Sequence, residues 1–256
     1  MSAPSGGARG RVYLIPNTLG GVAPAEVLPQ RTLDVARSLT HFVAETPKAA
    51  RAFLKSIDTP HALQAVGIEE LSEHTPAATV ETLLAPALAG HDLGLVSDAG
   101  CPGIADPGAA LVSAAHRAGV VVVPLPGTSA IALALMASGM DGQRFSFHGY
   151  LPVKAEARAA TIRQLDDALT HDGATRIFIE TPYRNEAMLS ALLATCRPRT
   201  HLCVAADLTL DSEIVKSAPI EAWRKGPALA LDRRPAVFLI GRDGSAATQP
   251  TPRRRS

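Results

Sequence analysis

Two carboxylates stand in a loop otherwise made of small residues, in the stretch Leu93–Gly108 (LGLVSDAGCPGIADPG). They are Asp98 and Asp106, and they follow the short apolar run Leu93–Val96. Such a loop lets a ligand approach the backbone, because little side chain stands in the way. Its chemistry favours a hydrogen-bonding ligand that carries positive charge. Asp106 precedes Pro107, so it also reads as a helix cap; Asp98 shows no such local role in the sequence. Similar loops follow other apolar runs, at Pro16–Gly20, Glu45, Thr128–Ala130, Glu180–Tyr183 and Asp207–Thr209. His148, which precedes Gly149 at the end of the alternating run RFSFHG, is a further candidate proton shuttle, in addition to the carboxylates Asp98 and Glu45.

Other chemistries are disfavoured by what is missing. The loop PNTLGG is not a G-x-G-x-x-G dinucleotide fingerprint, and no G-x-x-x-x-G-K-[ST] cradles a polyphosphate. No G-x-S-x-G elbow is present. The eight histidines lack H-E-x-x-H spacing, so no metal is expected. Cys101 lies in the central loop without an evident base and reads as a half-buried loop residue. Cys101, Cys196 and Cys203 give neither metal spacing nor a disulfide framework, which points to a reducing cytoplasm.

The elements that position these loops alternate. Strands are expected at Val12–Pro16, His41–Ala44, Leu63–Val66, Leu93–Val96 and Val120–Leu125. Helices are expected at Glu26–Ser38, from Thr46, from Thr75 and over Ala109–Ala118. Strand–helix alternation implies a parallel sheet, whose ligand loops lie at the carboxyl ends. A nearly wholly apolar helix, Ile131–Ser138, should be buried. Beyond it, strands at Arg144–Gly149, Arg176–Glu180, Leu202–Ala206, Glu213–Lys216 and Val237–Gly241, with fewer forced crossovers, favour a mixed sheet. The expected fold is therefore α/β, with an N-terminal domain over 11–125, a C-terminal domain over 126–242 and a cleft where the two sets of loops face each other. Residues 1–10 read as a disordered lead and 243–256 as a basic tail.

A net charge of +1 calls for no polyanion globally, and no apolar run approaches the roughly 18 residues of a membrane span. The helix after Thr46 nonetheless carries Lys48, Arg51 and Lys55 on one face.

Six stretches, VYLIPNTLGG, LVSDAGCPGIADPG, VVPLPGTSAIALALMASG, FSFHGYLP, RIFIETPYRN and VAADLT, occur in an order that resembles the tetrapyrrole methylase superfamily. Within it the chain resembles the branch of the ribosomal small-subunit methyltransferases, and closer still a less characterised sister group that shares the ETPYRN and FHGY runs; with RPAVFLIG the resemblance covers nearly the whole folded chain. The resemblance implies two α/β domains, a homodimer, and S-adenosylmethionine held folded between the domains. Pro16 and the loop Asp98-Ala99-Gly100-Cys101-Pro102, with Ile104, would line the donor. Thr128, Ser129 and Ala130 would meet its amino-acid part or ribose, and Tyr183, Leu208 and Ala236 its adenine. The run Glu-Asp-Thr-Arg that the rRNA-type enzymes carry after the second strand is replaced here by Glu45-Thr46-Pro47-Lys48.

The expected activity is methyl transfer to a ribose 2′-oxygen of 16S rRNA or the ribosomal subunit. Asp98, Glu45 and His148 are the base candidates, and Lys48, Arg51, Lys154 and Arg184 the acceptor contacts. The alternatives are methylation of a tetrapyrrole or another small molecule, and a non-catalytic ribosome-associated module.

Overall fold

The computed structural model describes residues 8–244, and the chain divides into two compact units between Ser129 and Ala130. Residues 1–7 of the expected lead and 245–256 of the expected tail lie outside the described residues, whereas the end of the lead is ordered: Gly10 is buried and donates its N–H to the Ala87 carbonyl at 2.9 Å.

In the first unit, strands β1 (Arg11–Ile15), β2 (His41–Ala44), β3 (Gly67–Glu70), β4 (Leu93–Val96) and β5 (Val121–Pro124) form one sheet in the order β3-β2-β4-β1-β5. Every pairing is parallel. The central strand β4 is buried along its whole length, as its unbroken apolar run requires. Neighbouring side chains feed opposite faces: Val43 packs with Leu93 and Leu111, whereas Phe42 packs with Ile15 and Leu54. Gly94 is needed at this crossing. A Cβ there would stand 2.7 Å from the Phe42 ring and 2.9 Å from Ile15.

The helices are α1 (Pro24–Val27), α2 (Gln30–Ser38), α3 (Pro47–Ser56), α4 (Ala77–Thr82), α5 (Ala85–Leu88) and α6 (Ala109–Arg117). The single helix expected over Glu26–Ser38 is two. Pro29 has no N–H to continue the first and stands at the N-cap of the second. The expected strand at Leu63–Val66 begins instead at Gly67. The apolar Leu63 and Val66 pack onto the core from a turn, and the polar Gly67–Glu70 forms the sheet edge.

The second unit contains α7 (Ala130–Ser138), β6 (Phe145–Tyr150), α8 (Ala155–Asp172), β7 (Thr175–Ile179), a 3₁₀ turn (Pro182–Arg184) and α9 (Asn185–Thr195). It continues with β8 (His201–Ala206), β9 (Ile214–Pro219), α10 (Ile220–Lys225) and β10 (Ala236–Gly241). The strand order is β6-β7-β10-β8-β9, with β6 and β7 parallel and the other pairs antiparallel. The long helix α8 makes the crossover that a parallel pair demands. Phe178 and Phe238, both fully buried, stack across β7 and β10 with centroids 6.0 Å apart. Trp223 seals the same core and donates its indole N–H to the Leu202 carbonyl at 2.9 Å.

One expectation fails here. Only Ala134 and Ser138 of α7 are buried, and Met136 is 78% exposed. Apolar sequence all round a helix signals burial, yet within this unit α7 presents one side outward. Among the described residues no helix is long and apolar enough to cross a membrane.

Candidate active site

The carboxyl ends of β1, β2, β4 and β5 are tied together by side chains from the loops that follow them. Asn17, directly after β1 and Pro16, is buried. Its side-chain amide donates to the carbonyls of Ser97 and Asp98 at 3.1 and 3.2 Å. Its backbone N–H donates to the Gly100 carbonyl at 2.9 Å. Its own carbonyl accepts from the Thr128 hydroxyl at 2.7 Å. The Cys101 thiol donates to the Thr128 carbonyl. Pro16, Asp98–Pro102 and Thr128 are therefore one assembly, built at the sheet edge where parallel α/β folds bind ligands. Gly127 permits the close approach, since a Cβ there would meet Pro16 Cβ at 2.4 Å.

Asp98 has the local role that its sequence context did not show. Its carboxylate accepts from the Thr46 hydroxyl at 2.6 Å and the Thr46 backbone N–H at 3.2 Å, fastening the start of α3 to the β4 loop. Asp106 accepts from the backbone N–H groups of Gly103 and Gly108, both at 2.7 Å, and so shapes its own turn. Gly103 and Ala105 in that turn have φ of 80° and 58°, a region costly for alanine. Ile104 at the tip is 48% exposed.

Glu45 lies beside these groups. Burial, and then the carboxylates of Asp98, Asp106 and Glu73, push its carboxyl above the ordinary range. Burial likewise pushes the Cys101 thiol up, away from the thiolate a nucleophile needs.

A second polar corner occupies the carboxyl ends of β7 and β8 in the second unit. The register sets Ala236 beside Ala206, and Val237 beside Ile179. The Asn185 amide donates to the Arg234 carbonyl at 2.6 Å, and Arg234 reaches Asp207 at 2.8 Å. Asp207, Thr209 and Arg233 all have positive φ, at 51°, 75° and 57°. For Thr209, which is β-branched, this is a strained backbone. Three buried polar atoms here, Glu180 Oε2, Asn185 Oδ1 and Thr209 Oγ1, have no partner among the described residues. Buried polar atoms without a protein partner beside strained backbone are acceptors that a ligand or an ordered water would satisfy. Leu208 and Ala236 line this corner and are nearly buried, while Tyr183 projects with 73% exposure.

The remaining sequence candidates are placed as follows. Ser129 closes the first unit and Ala130 opens α7. Lys48 and Arg51 are exposed on α3, beside Lys55, while Ala50, Phe53 and Leu54 face the core. Lys154 is exposed at the N-cap of α8. Arg184 is not free: it gives Nε and Nη2 to Glu180 Oε1 at 2.9 and 2.6 Å. His148, on β6, shares a hydrogen bond of 2.8 Å with Ser146, which also accepts from Arg176. Burial and the Arg176 charge hold its imidazole below the usual range. Asn17 lies inside the candidate loop Pro16–Gly20 and Thr46 reads in the sequence only as a helix start; neither, nor Asn185, two residues beyond the loop Glu180–Tyr183, was expected as a site residue, and a short amide beside a strand-end loop was the available signal.

Two α/β units, one all-parallel and one mixed, with polar loops at the strand ends, define the two-unit α/β architecture of the class III methyltransferase fold. The methyltransferase CobJ has the same fold, with a TM-score of 0.61 at 18% identity over 94% of this chain and 97% of that one. A uroporphyrin-III C-methyltransferase from Thermus thermophilus gives 0.52 at 22% identity over 96% and 99%.

The chain belongs to the tetrapyrrole (corrin/porphyrin) methylase family, whose model matches residues 21–223. It is similar to the ribosomal RNA small subunit methyltransferase I of Escherichia coli O157:H7, at 33% identity over 85% of this chain and 73% of that protein. The protein of that name from Xylella fastidiosa (strain Temecula1) is 31% identical over 96% and 84%.

The enzyme is accordingly an S-adenosylmethionine-dependent methyltransferase. Its residues fit that donor. In the first unit, Glu45 lies in the field of the Asp98, Asp106 and Glu73 carboxylates, a setting that suits a cationic ligand.

Proposed function

We propose that the enzyme methylates a ribose 2′-oxygen of small-subunit ribosomal RNA. The reading rests chiefly on the curated relatives, named for that RNA, which match along most of the chain. The exposed cationic face of α3, Lys48, Arg51 and Lys55, begins directly after Glu45 and suits a phosphate backbone. Lys154 is a further acceptor contact, whereas Arg184 positions the Pro182–Arg184 turn through Glu180.

When bound, S-adenosylmethionine supplies a methyl group on a cationic sulfur. The chain's own residues then do the following. Asn17, Ser97 and Thr128 hold the loop Asp98–Pro102, with Pro16 and Ile104, in one shape for the donor. Thr128, Ser129 and Ala130 serve its amino-acid part or ribose; Tyr183, Leu208 and Ala236 serve its adenine. Asp98, anchored by Thr46, adds negative charge rather than accepting a proton. Glu45, whose carboxyl is raised and partly exposed, takes the proton from the acceptor hydroxyl. His148 is the other base candidate, on the second unit.

The same reading includes a homodimer and a cytoplasmic location. Phe145, Tyr150, Val153 and Met136, all at least half exposed in the second unit, are the apolar surface a partner copy would cover. The cysteines are all free thiols, in keeping with a reducing compartment.

Labelled donor incubated with small ribosomal subunits, with naked 16S rRNA and with a tetrapyrrole extract tests the acceptor. A 2′-O-methyl blocks alkaline cleavage of the adjacent phosphodiester, so label should appear in an alkali-stable dinucleotide. Label confined to the tetrapyrrole fraction would reverse the assignment. The family description and the uroporphyrin enzyme's fold make that the competing reading.

A further inference from the structure

The second unit has a hollow of about 230 Å³ lined by Leu169, Thr170, Arg197, Arg199, Thr200, Gly241 and Arg242. Because β10 runs antiparallel to β7 and β8, its end at Gly241 lies beside His201, the start of β8. The hollow thus opens at the edge of the sheet opposite Glu180 and Asp207. It belongs to neither polar corner described above.

Its three arginines come from two separate segments and are engaged differently. Arg197 is committed: its Nε and backbone N–H donate to Asp166 Oδ2 at 2.8 and 3.1 Å, and Nη1 lies 3.9 Å from Asp167. The Thr200 hydroxyl donates to the other Asp166 oxygen, so that buried carboxylate is fully occupied. Arg242 uses Nη2 for the carbonyls of Leu169 and Thr170 at the end of α8, at 2.7 and 2.9 Å. Neither Arg242 nor Arg199 pairs with a carboxylate among the described residues. Arg199 has no hydrogen-bond partner among them either, and it is exposed.

A further cation stands on the same edge. Gly173 ends α8 with φ of 66°, and the point where its Cβ would sit is 3.5 Å from Arg242 Nη1 and 3.6 Å from Arg144 Nη2. Arg144 is paired with Asp141 at 3.4 Å. Asp172, also nearby, is held by Arg176 and kept below the usual carboxylate range. Asp141, Asp166 and Asp172 are thus each matched to an arginine, Asp167 lies near Arg197, and neither Arg199 nor Arg242 forms an ion pair among the described residues, although Asp243 follows Arg242 in the chain.

We infer that the hollow is a phosphate-binding site. Guanidinium groups present planar, paired donors that match phosphate oxygens, and two such groups outside any ion pair suit a phosphate dianion or two successive phosphodiesters. The ligand is either the backbone of an RNA strand, held at a distance from the methylation chemistry, or a free phosphate compound. The RNA source rests on the acceptor reading above; the free source does not.

Two titrations of the full-length enzyme distinguish the sources, each compared with R199Q and with R199Q/R242Q. Neither involves methyl transfer, so their outcome is separate from that of the acceptor assay. In the first, binding of a short single-stranded RNA is measured by fluorescence anisotropy across a salt series. An RNA site predicts that the double variant lowers the slope of log K against log salt by about 1.4, two phosphates at about 0.7 each. In the second, inorganic phosphate is titrated by calorimetry at constant ionic strength. A free-phosphate site predicts saturable binding weakened at least about 10-fold in the double variant, with the RNA slope unchanged. R199Q alone removes an exposed side chain without a partner, leaves Asp166–Arg197 intact, and should give about half of either effect. Wild-type behaviour of the double variant in both titrations overturns the site.

Discussion

Replacing Asp98 by alanine separates two roles that its carboxylate combines. The first is mechanical. Thr46 loses the acceptor for its hydroxyl at 2.6 Å and its N–H at 3.2 Å, so the start of α3 comes loose from the β4 loop. Losing a helix cap costs about 0.5–2 kcal/mol, and the exposure of Asp98 argues for about 1 kcal/mol. The thermal midpoint should fall by about 2–4 °C. The second role is electrostatic. Two unit charges 4 Å apart attract by about 1 kcal/mol in bulk water and about 4 kcal/mol near a protein surface. For an exposed group the lower part of that range applies, so donor binding weakens by about 1–2 kcal/mol, roughly 5- to 30-fold in Kd. Thr46→Val is the control: it removes the hydroxyl but keeps the Asp98 charge. Calorimetric titration with S-adenosylmethionine should rank the affinities wild type, Thr46→Val, Asp98→Ala, with a clear gap before the last. Equal affinities for the two variants would remove the charge from the argument. An unchanged Kd and an unchanged melting point in Asp98→Ala would refute both roles.

Three further outcomes are expected. Glu45→Gln should lower kcat by about 10²–10⁴-fold, the usual contribution of a general base. Its effect on stability has the opposite sign. Because the folded state raises the Glu45 pKa, ionised Glu45 opposes folding; its contribution is most favourable below the ordinary value of 4.5 and is lost as pH rises through the raised one. The variant should therefore melt higher than wild type at pH 7, with the gain vanishing in acid, and a lower melting point at pH 7 would contradict the electrostatics. Gly127→Ala drives a methyl to within 2.4 Å of Pro16 Cβ and should cost about 1–3 kcal/mol by urea denaturation, together with donor affinity, whereas Gly142→Ala, with open space around it, should be neutral. Phe178→Ala opens the stacked pair with Phe238 and should destabilise by about 3–5 kcal/mol, seen as a lower urea midpoint.

Much of the frame was legible because burial leaves a direct mark on sequence. Leu93–Val96 reads as a fully buried strand and is one. The mixed character of the second sheet followed from closely spaced strands with too few helices between them. Gly67–Glu70 was missed because an edge strand need not be apolar: its hydrogen bonds to β2 hold it there. The exposure of α7 was missed because composition reports what a helix tolerates, not which neighbours reach it. At the site, the position of each loop after a strand was enough to bring Pro16, Asp98 and Thr128 together. Asp98 itself was misjudged, since its partner Thr46 is remote in sequence and reaches it only through the register of β2 beside β4. The orphaned atoms of Glu180, Asn185 and Thr209 are invisible without coordinates, because satisfaction is a property of surroundings.

Asn17 has a consequence for how this enzyme can diverge. Its side-chain amide holds the turn after β4 to the turn after β1, while the Thr128 hydroxyl beyond β5 rests on its backbone carbonyl, so replacing the side chain loosens two turns together and leaves the third its acceptor. Among the described residues, the side-chain tie between the segment Glu45–Lys48 and that assembly is Thr46 to Asp98. Drift in what is methylated can accumulate along that segment while the means of holding the methyl source stays frozen, and an engineer seeking a new acceptor should begin at the same place.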